Sequence, residues 1–242
     1  MKICLAQVGS IRGDIQRNIE QHKKMIDHAV TYGADLIIFP ELSLTGYHPE
    51  LANELATDKN DPRFDDFQRI SHTKQIAIGV GVPLKGSAGI TISMILFYPD
   101  QERKVYSKKY LHADEEPFFV SGKNFPVLTI GGMNVALAIC YELSVPEHLE
   151  CALQNDAKIY IASIAKVDRN IDKALERLSA IARQHSMPVL MVNCLGPCDG
   201  SEGIGTSSAW DDKGSLIGQL DRIHEGMLIL DTETFDVWKE IG

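Results

Sequence analysis

Strand-length apolar runs alternate with helical patterns along the whole of this 242-residue chain. Lys2–Val8 (KICLAQV) reads as a first strand. Ile15, Ile19, His22, Ile26, Ala29 and Val30 follow Asp14 at helical spacing, and Gly33 stands just past their end. Asp35–Phe39 is a short, nearly continuous apolar strand, Phe64–Gln75 a second helix and Ile76–Val82 a further strand. Ile90–Tyr98 and Arg103–Tyr106 flank a Pro-Asp turn as a hairpin. The second half repeats the style. Val127–Ile130 and Val135–Ile139 flank Gly131-Gly132, a helix covers Glu147–Gln154, and Lys158–Ala162 is a strand. Ile171, Ala174, Leu175, Leu178, Ile181 and Ala182 mark one face of an amphipathic helix. Val189–Val192 is a strand, Cys194–Gly205 a Gly-rich loop, and two or three strands fill Ser207–Leu230. With no linker, low-complexity tract or short repeat, residues 1–242 read as one α/β domain in which helices cover sheets.

The formal net charge of -9 sets the chain against nucleic-acid and anionic-membrane partners, which need clustered Lys and Arg. A small anionic substrate stays open, because one Lys in a pocket is enough for it. Five cysteines, an odd number and mostly in apolar runs, suit free thiols in a reducing compartment. The apolar stretch in MKICLAQVGS is too short for a secretory segment, so a cytoplasmic protein is expected.

Three segments carry residues suited to chemistry. Glu41 follows a strand and Pro40, at the kind of strand end where α/β proteins place catalytic groups. Its neighbours Phe39, Pro40, Leu42 and Leu44 would desolvate the carboxylate and raise its pKa toward that of a base for a thiol. Cys140 ends the run Val135–Ile139, and a nucleophilic Cys needs a base or cation nearby. Lys108, in YSKKYL, is suited to pairing with an oxyanion, and spacing alone does not choose between it and Lys109. Cys194 and Cys198 have no second pair and no well-spaced His, so no metal site is expected. The segment GSEGIG lacks the strand-to-helix setting of a phosphate loop.

FPELSLTGY, YSKKYLHADEEPFFVSG and AICYELSVPEH, in that order, resemble the Glu, Lys and Cys signatures of the nitrilase superfamily, the carbon–nitrogen hydrolases. The resemblance runs from KICLAQV through GTSSAWDDKG to MLILDTET. It implies a four-layer αββα sandwich with Glu41 as base, Lys108 as stabilising lysine and Cys140 as nucleophile. Lys108 is preferred because the family Lys stands three positions before a Leu, here Leu111. Glu115, followed by Phe119 and Gly122, matches the spacing of the family's second Glu, and Glu116 is one residue out of register. Tyr47, Tyr141, Glu142 and Ser163 are the candidate substrate-binding residues. Glu142 and Ser144 depart from the commoner Cys-Tyr-Asp-x-Arg pattern, and Tyr141 in place of Trp points to the amidase and carbamoylase branches. The expected reaction is hydrolysis of a small amide or N-carbamoyl compound through a thioester, with no cofactor. The alternatives are a nitrilase and a silent scaffold of the same fold. The resemblance also implies a homodimer or larger homo-oligomer, joined through roughly Pro146–Gln154 and the tail containing Trp238.

Overall fold

The computed structural model describes residues 1–123, 127–198 and 200–242. The first half runs β1 (Lys2–Gln7), α1 (Ile15–Thr31), β2 (Leu36–Ile38), α2 (Ala52–Leu55), α3 (Asp65–Lys74), β3 (Ala77–Gly86), β4 (Gly89–Phe97) and β5 (Lys104–Ser107). The second runs β6 (Val127–Ile130), β7 (Met133–Ile139), α4 (Pro146–Gln154), β8 (Ile159–Ile164), α5 (Asp168–His185), β9 (Val189–Asn193), β10 (Leu195–Cys198) and β11 (Ser201–Ile204). It closes with β12 (Ser208–Trp210), β13 (Leu216–Gln219), β14 (Gly226–Asp231) and β15 (Val237–Ile241).

Two large sheets result, in the orders β15-β14-β1-β2-β3-β4-β5 and β13-β12-β9-β8-β7-β6. Side-chain alternation along each strand explains how they stack, because successive residues of a strand face opposite sides. Ile3, Leu5, Leu36 and Ile38 of the first sheet share one buried cluster with Val135, Leu137, Ile139, Ile159, Ile161, Leu190 and Val192 of the second. The intervening Cys4, Ala6 and Ile37 face the other way, onto Ile15, Ile19 and Ile26 of α1 and Phe67 and Ile70 of α3. Ala136, Ala138, Tyr160 and Ala162 likewise face Ile171, Ala174, Leu178 and Ile181 of α5. Three apolar layers therefore separate four structural ones, and the αββα sandwich is observed. Strands covered on both faces read as continuous apolar runs, which is why the sequence marks them so plainly.

Several boundaries differ from expectation. The Cys194–Gly205 segment is not a plain loop: β10 and β11 pair antiparallel as a two-stranded ribbon, with Asp199 outside the described residues. Gly196 and Pro197 within β10 give that strand the composition of a loop. Three strands follow Ser207, and β15 in the tail adds a fourth by pairing with β14. Among the described residues no helix is long and apolar enough to cross a membrane.

Parallel pairing fixes where the chemistry collects. β1, β2 and β3 are neighbours in parallel, as are β7, β8 and β9, so each set ends on one side of its sheet. Gly81 in β3 permits the turn after β2: a Cβ there would lie 2.4 Å from both Leu42 N and Pro40 O. Gly81→Ala therefore pushes the Pro40–Leu42 turn off β3. The expected loss is about 1–3 kcal/mol, the range for overpacking, or roughly 2–4 °C of melting temperature per kcal/mol. A thermal melt indistinguishable from the wild type would show that the turn does not depend on this contact.

Candidate active site

Glu41, Lys108 and Cys140 come from segments far apart in the chain, and the fold brings them together. The Lys108 ammonium donates to Glu41 Oε1 at 2.8 Å and to Glu115 Oε1 at 2.6 Å. All three side chains are sealed from solvent, at 0%, 0% and 1% exposure for Lys108, Glu41 and Glu115. The Tyr47 hydroxyl donates to Glu115 Oε1 at 2.7 Å, and the His112 backbone N–H donates to Glu115 Oε2 at 2.8 Å. One buried oxygen, Glu41 Oε2, has no hydrogen-bond partner. The Cys140 thiol lies near enough to this carboxylate to act on its ionisation.

Local structure holds each of these groups in place. Glu41 sits between Pro40 and Leu42, whose φ of 51° is left-handed. The turn is braced by Ser43, whose hydroxyl accepts from Gly81 N–H at 3.3 Å and lies 2.9 Å from His22 Nε2. His22 Nδ1 meets the Asn18 carbonyl at 2.7 Å, which can only accept, so Nδ1 carries the proton and Nε2 accepts from Ser43. Burial drives the His22 pKa down to about 3, and the ring stays neutral. Lys108 is fixed by its own backbone: its N–H donates to Ile92 O at 2.8 Å, and its carbonyl accepts from Gly122 N at 2.7 Å. A Cβ at Gly122 would stand 2.2 Å from Ser107 O, so only glycine permits this approach. Cys140 begins a short 3-10 turn, Cys140–Ser144, directly after β7. Its φ of 46° is unusual for a non-glycine residue and is the kind of strain found where a side chain is aimed for function.

Electrostatics follow from this burial. Desolvation pushes the Glu41 carboxyl up to about 7, and Glu115 adds to the rise, against the opposing effect of Lys108. Burial works against the Lys108 ammonium, but the charges of Glu41, Cys140 and Glu115 outweigh it and hold its pKa above the ordinary lysine value. Burial and the nearby Glu41 raise the Cys140 thiol to about 12, while Lys108 and Lys166 pull it down. At neutral pH the site thus holds an ammonium, a thiol and a carboxyl whose proton affinity is raised above that of an ordinary glutamate.

A cavity of about 140 Å³ opens onto Cys140 and is lined also by Tyr47, Glu115, Tyr141, Lys166 and Cys198. It is much smaller than the roughly 300–1,000 Å³ that holds a drug-sized ligand. Glu41 and Lys108 lie behind this lining rather than in it.

Two expected substrate-binding residues are corrected. Glu142 does not face the cavity: its carboxylate is buried and accepts from Lys109 N (2.7 Å), Tyr110 N (3.3 Å), Ile139 N (2.9 Å) and the Tyr106 hydroxyl (2.6 Å). It ties the residue before Cys140 to the residues after Lys108. Ser163 is also buried, and its hydroxyl donates to Phe39 O at 2.9 Å, linking the two sheets beside Glu41. Tyr47 and Tyr141 do line the cavity. Lys109 is turned outward over the Tyr110 ring, so the position facing the carboxylates belongs to Lys108. Sequence reading passed over Gly81, Ser43, Lys166 and Asn193. Of these, only Lys166 and Asn193 carried a signal, since both lie at the ends of parallel strands.

Comparison with known proteins places this arrangement. The profile of the family described as Carbon-nitrogen hydrolase matches residues 2–237. An (R)-stereoselective amidase of Pseudomonas sp is 26% identical over 92% of this chain and 81% of its own length. A glutamine-dependent NAD(+) synthetase of Thermotoga maritima is 25% identical over 96% of this chain, which spans only 42% of that protein. Among solved structures, the NitN amidase of Nesterenkonia sp. AN1 superposes with a TM-score of 0.88 at 26% identity, over 97% of this chain and 93% of its own. A glutamate mutant of that amidase carries the acetamide moiety of fluoroacetamide covalently at its active-site cysteine. Matched from residue 2 to residue 237, the chain belongs to the carbon-nitrogen hydrolase family.

Proposed function

We propose that this chain hydrolyses a non-peptide carbon–nitrogen bond of a small amide or N-carbamoyl compound through a thioester on Cys140. The observation that carries the reading is the orphaned Oε2 of Glu41, buried beside a thiol and held in place by an ammonium. A buried acceptor without a donor costs stability, so its retention at this point fits a proton-accepting role.

Cys140 Sγ attacks the carbonyl carbon while its proton passes to Glu41 Oε2. Burial raises the proton affinity of the thiol and disfavours a free thiolate, so bond formation and proton transfer proceed together. The carbonyl oxygen becomes an oxyanion facing Lys108 Nζ and the backbone N–H of Tyr141. That N–H stands in the first turn of the 3-10 segment, where helical geometry supplies no internal acceptor. Collapse breaks the C–N bond, and Glu41 returns the proton to the departing nitrogen as amine or ammonia. Water then attacks the thioester carbon, giving one proton to Glu41. The C–S bond breaks, the acid leaves, and the proton returns to Cys140. Glu115 makes no bond to the reacting atoms in this scheme; it fixes Lys108 and raises the pKa of Glu41.

Two outcomes follow. Cys140→Ala lowers kcat on a small amide by at least about 10³-fold, as for other removed nucleophiles, and intact-mass spectrometry shows no acyl adduct. Ammonia release by this variant at the wild-type rate would sink the reading. The second outcome concerns pH. The base must be ionised, so kcat/KM falls as pH drops through about 7. Glu115→Gln removes a negative charge that raises the Glu41 pKa, so the acid limb moves to lower pH. A limb that stays put, or moves up, in a pH–rate profile would remove Glu41 from the role of base.

A further inference from the structure

The cavity has a second polar end. Lys166 lines it, two residues beyond the last residue of β8, the strand that lies parallel beside the one leading to Cys140. Among the described residues no carboxylate pairs with the Lys166 ammonium. The other charged groups of the lining are already engaged. Glu115 holds Lys108, and Asp114 pairs with His112 at 2.5 Å. Lys108 is the other nearby ammonium, and it is shared between two carboxylates.

Lys166 is also built in rather than loosely placed. Asn193, fully buried at the end of β9, clamps its backbone from both sides. Its Oδ1 accepts from Lys166 N at 2.8 Å, and its Nδ2 donates to Lys166 O at 3.1 Å. The same amide reaches Cys194 N at 3.0 Å and Gly205 O at 2.9 Å, so the clamp is anchored to the next segment of the fold. Val167 forms a bridge to Gly203 of β11. The segment carrying Lys166 is thus fixed by two neighbours, Asn193 and Gly203.

We propose that Lys166 is the anchor for a carboxylate on the substrate, and that the preferred substrates are short amides bearing a carboxylate a few atoms from the scissile bond. This rests on the amide-hydrolase reading above. An ammonium with no carboxylate partner among the described residues, lining a small cavity, attracts an anion there by a charge-assisted hydrogen bond. The chain's negative charge elsewhere makes this local cation the more selective. Ser144, exposed on the turn after Cys140, offers no competing cation at its own position.

The test compares two amides of nearly equal shape: succinamate, and 4-oxopentanamide, in which a methyl group replaces one carboxylate oxygen. The quantity read is the ratio of their kcat/KM values, so any effect of Lys166 on Cys140 itself cancels. The wild type is expected to prefer succinamate by about tenfold or more, the scale of one charge-assisted hydrogen bond. Lys166→Met should bring the ratio toward one. Lys166→Glu should invert it and favour 4-aminobutanamide, whose end is cationic. Thermal melts establish that each variant is folded, and the Met variant decides the matter where the Glu variant does not fold. A wild type that turns over both amides without preference, or a ratio untouched by Lys166→Met, overturns the carboxylate anchor alone. A wild type that releases ammonia from neither amide also overturns the carboxylate anchor, whereas the hydrolase reading falls only if Cys140 takes up no acyl group from any small amide or N-carbamoyl compound.

Discussion

An ammonium shut between two carboxylates, away from water, is the interaction on which the rest of this structure depends. Removing such ions from water costs several kcal/mol each, and mutual attraction offsets this only where the geometry is good and the remaining lone pairs are satisfied. Lys108 meets the first condition with bonds of 2.8 and 2.6 Å. Glu115 meets the second through Tyr47 and the His112 backbone. Glu41 does not: one of its oxygens is left without a partner. The deficit is therefore localised on one atom of the carboxyl whose ionisation the Cys140 thiol influences. Removing Lys108 would leave two carboxylates buried without a counter-ion, so stability and chemistry at this site are tied to the same contacts.

The proposed nucleophile is held by a different device. Cys140 is in a left-handed conformation that L-residues avoid, at the sharp change from β7 into a tight turn. Such strain persists only where surrounding contacts over-determine it. The Glu142 carboxylate supplies them, gathering four donors from the segments on either side of the site. Behind it, the Tyr106 hydroxyl, which gives its proton to Glu142, lies 3.0 Å from His148 Nε2. Burial lowers the His148 pKa, so the neutral ring enters this network without adding a charge. The strand with Lys108 and the strand with Cys140 belong to different sheets, and this brace sets their separation.

The layer architecture was legible because strands buried on both faces must be apolar throughout, and helices covering them must be apolar on one face only. Glu41, Lys108 and Cys140 were legible through strand ends and family motifs. Glu142 and Ser163 were misread for a physical reason: each is a polar residue next to a catalytic candidate, and sequence does not distinguish a side chain aimed at substrate from one satisfying buried backbone groups. Their partners, such as Ile139 N–H and Phe39 O, exist only in three dimensions. The β10–β11 ribbon was missed because glycine and proline, which permit its shape, are also the marks of a loop. Gly81 carries no sequence signal beyond being glycine, since what requires it is the Pro40–Leu42 segment, 2.4 Å from where a Cβ would stand. Gly122 was marked by the family spacing but not by the close approach to Ser107 that requires it.

The two lysines near Cys140 differ in surroundings, and under the proposed reaction they take opposed parts in a single site. Lys108 is surrounded by enough negative charge to hold its proton throughout, and for that reason it has little attraction left for a substrate anion at a distance. Its field is spent on Glu41, Glu115 and, in the proposed reaction, on the oxyanion. Lys166 has a clamped backbone and no carboxylate partner among the described residues, so its field extends into the cavity. In the proposed reaction, an anion held there would fix one part of the substrate at Lys166 while the reacting carbonyl stands at Cys140. In that arrangement one end of the substrate is fixed before charge develops at the other, and orientation and transition-state stabilisation are carried by separate residues.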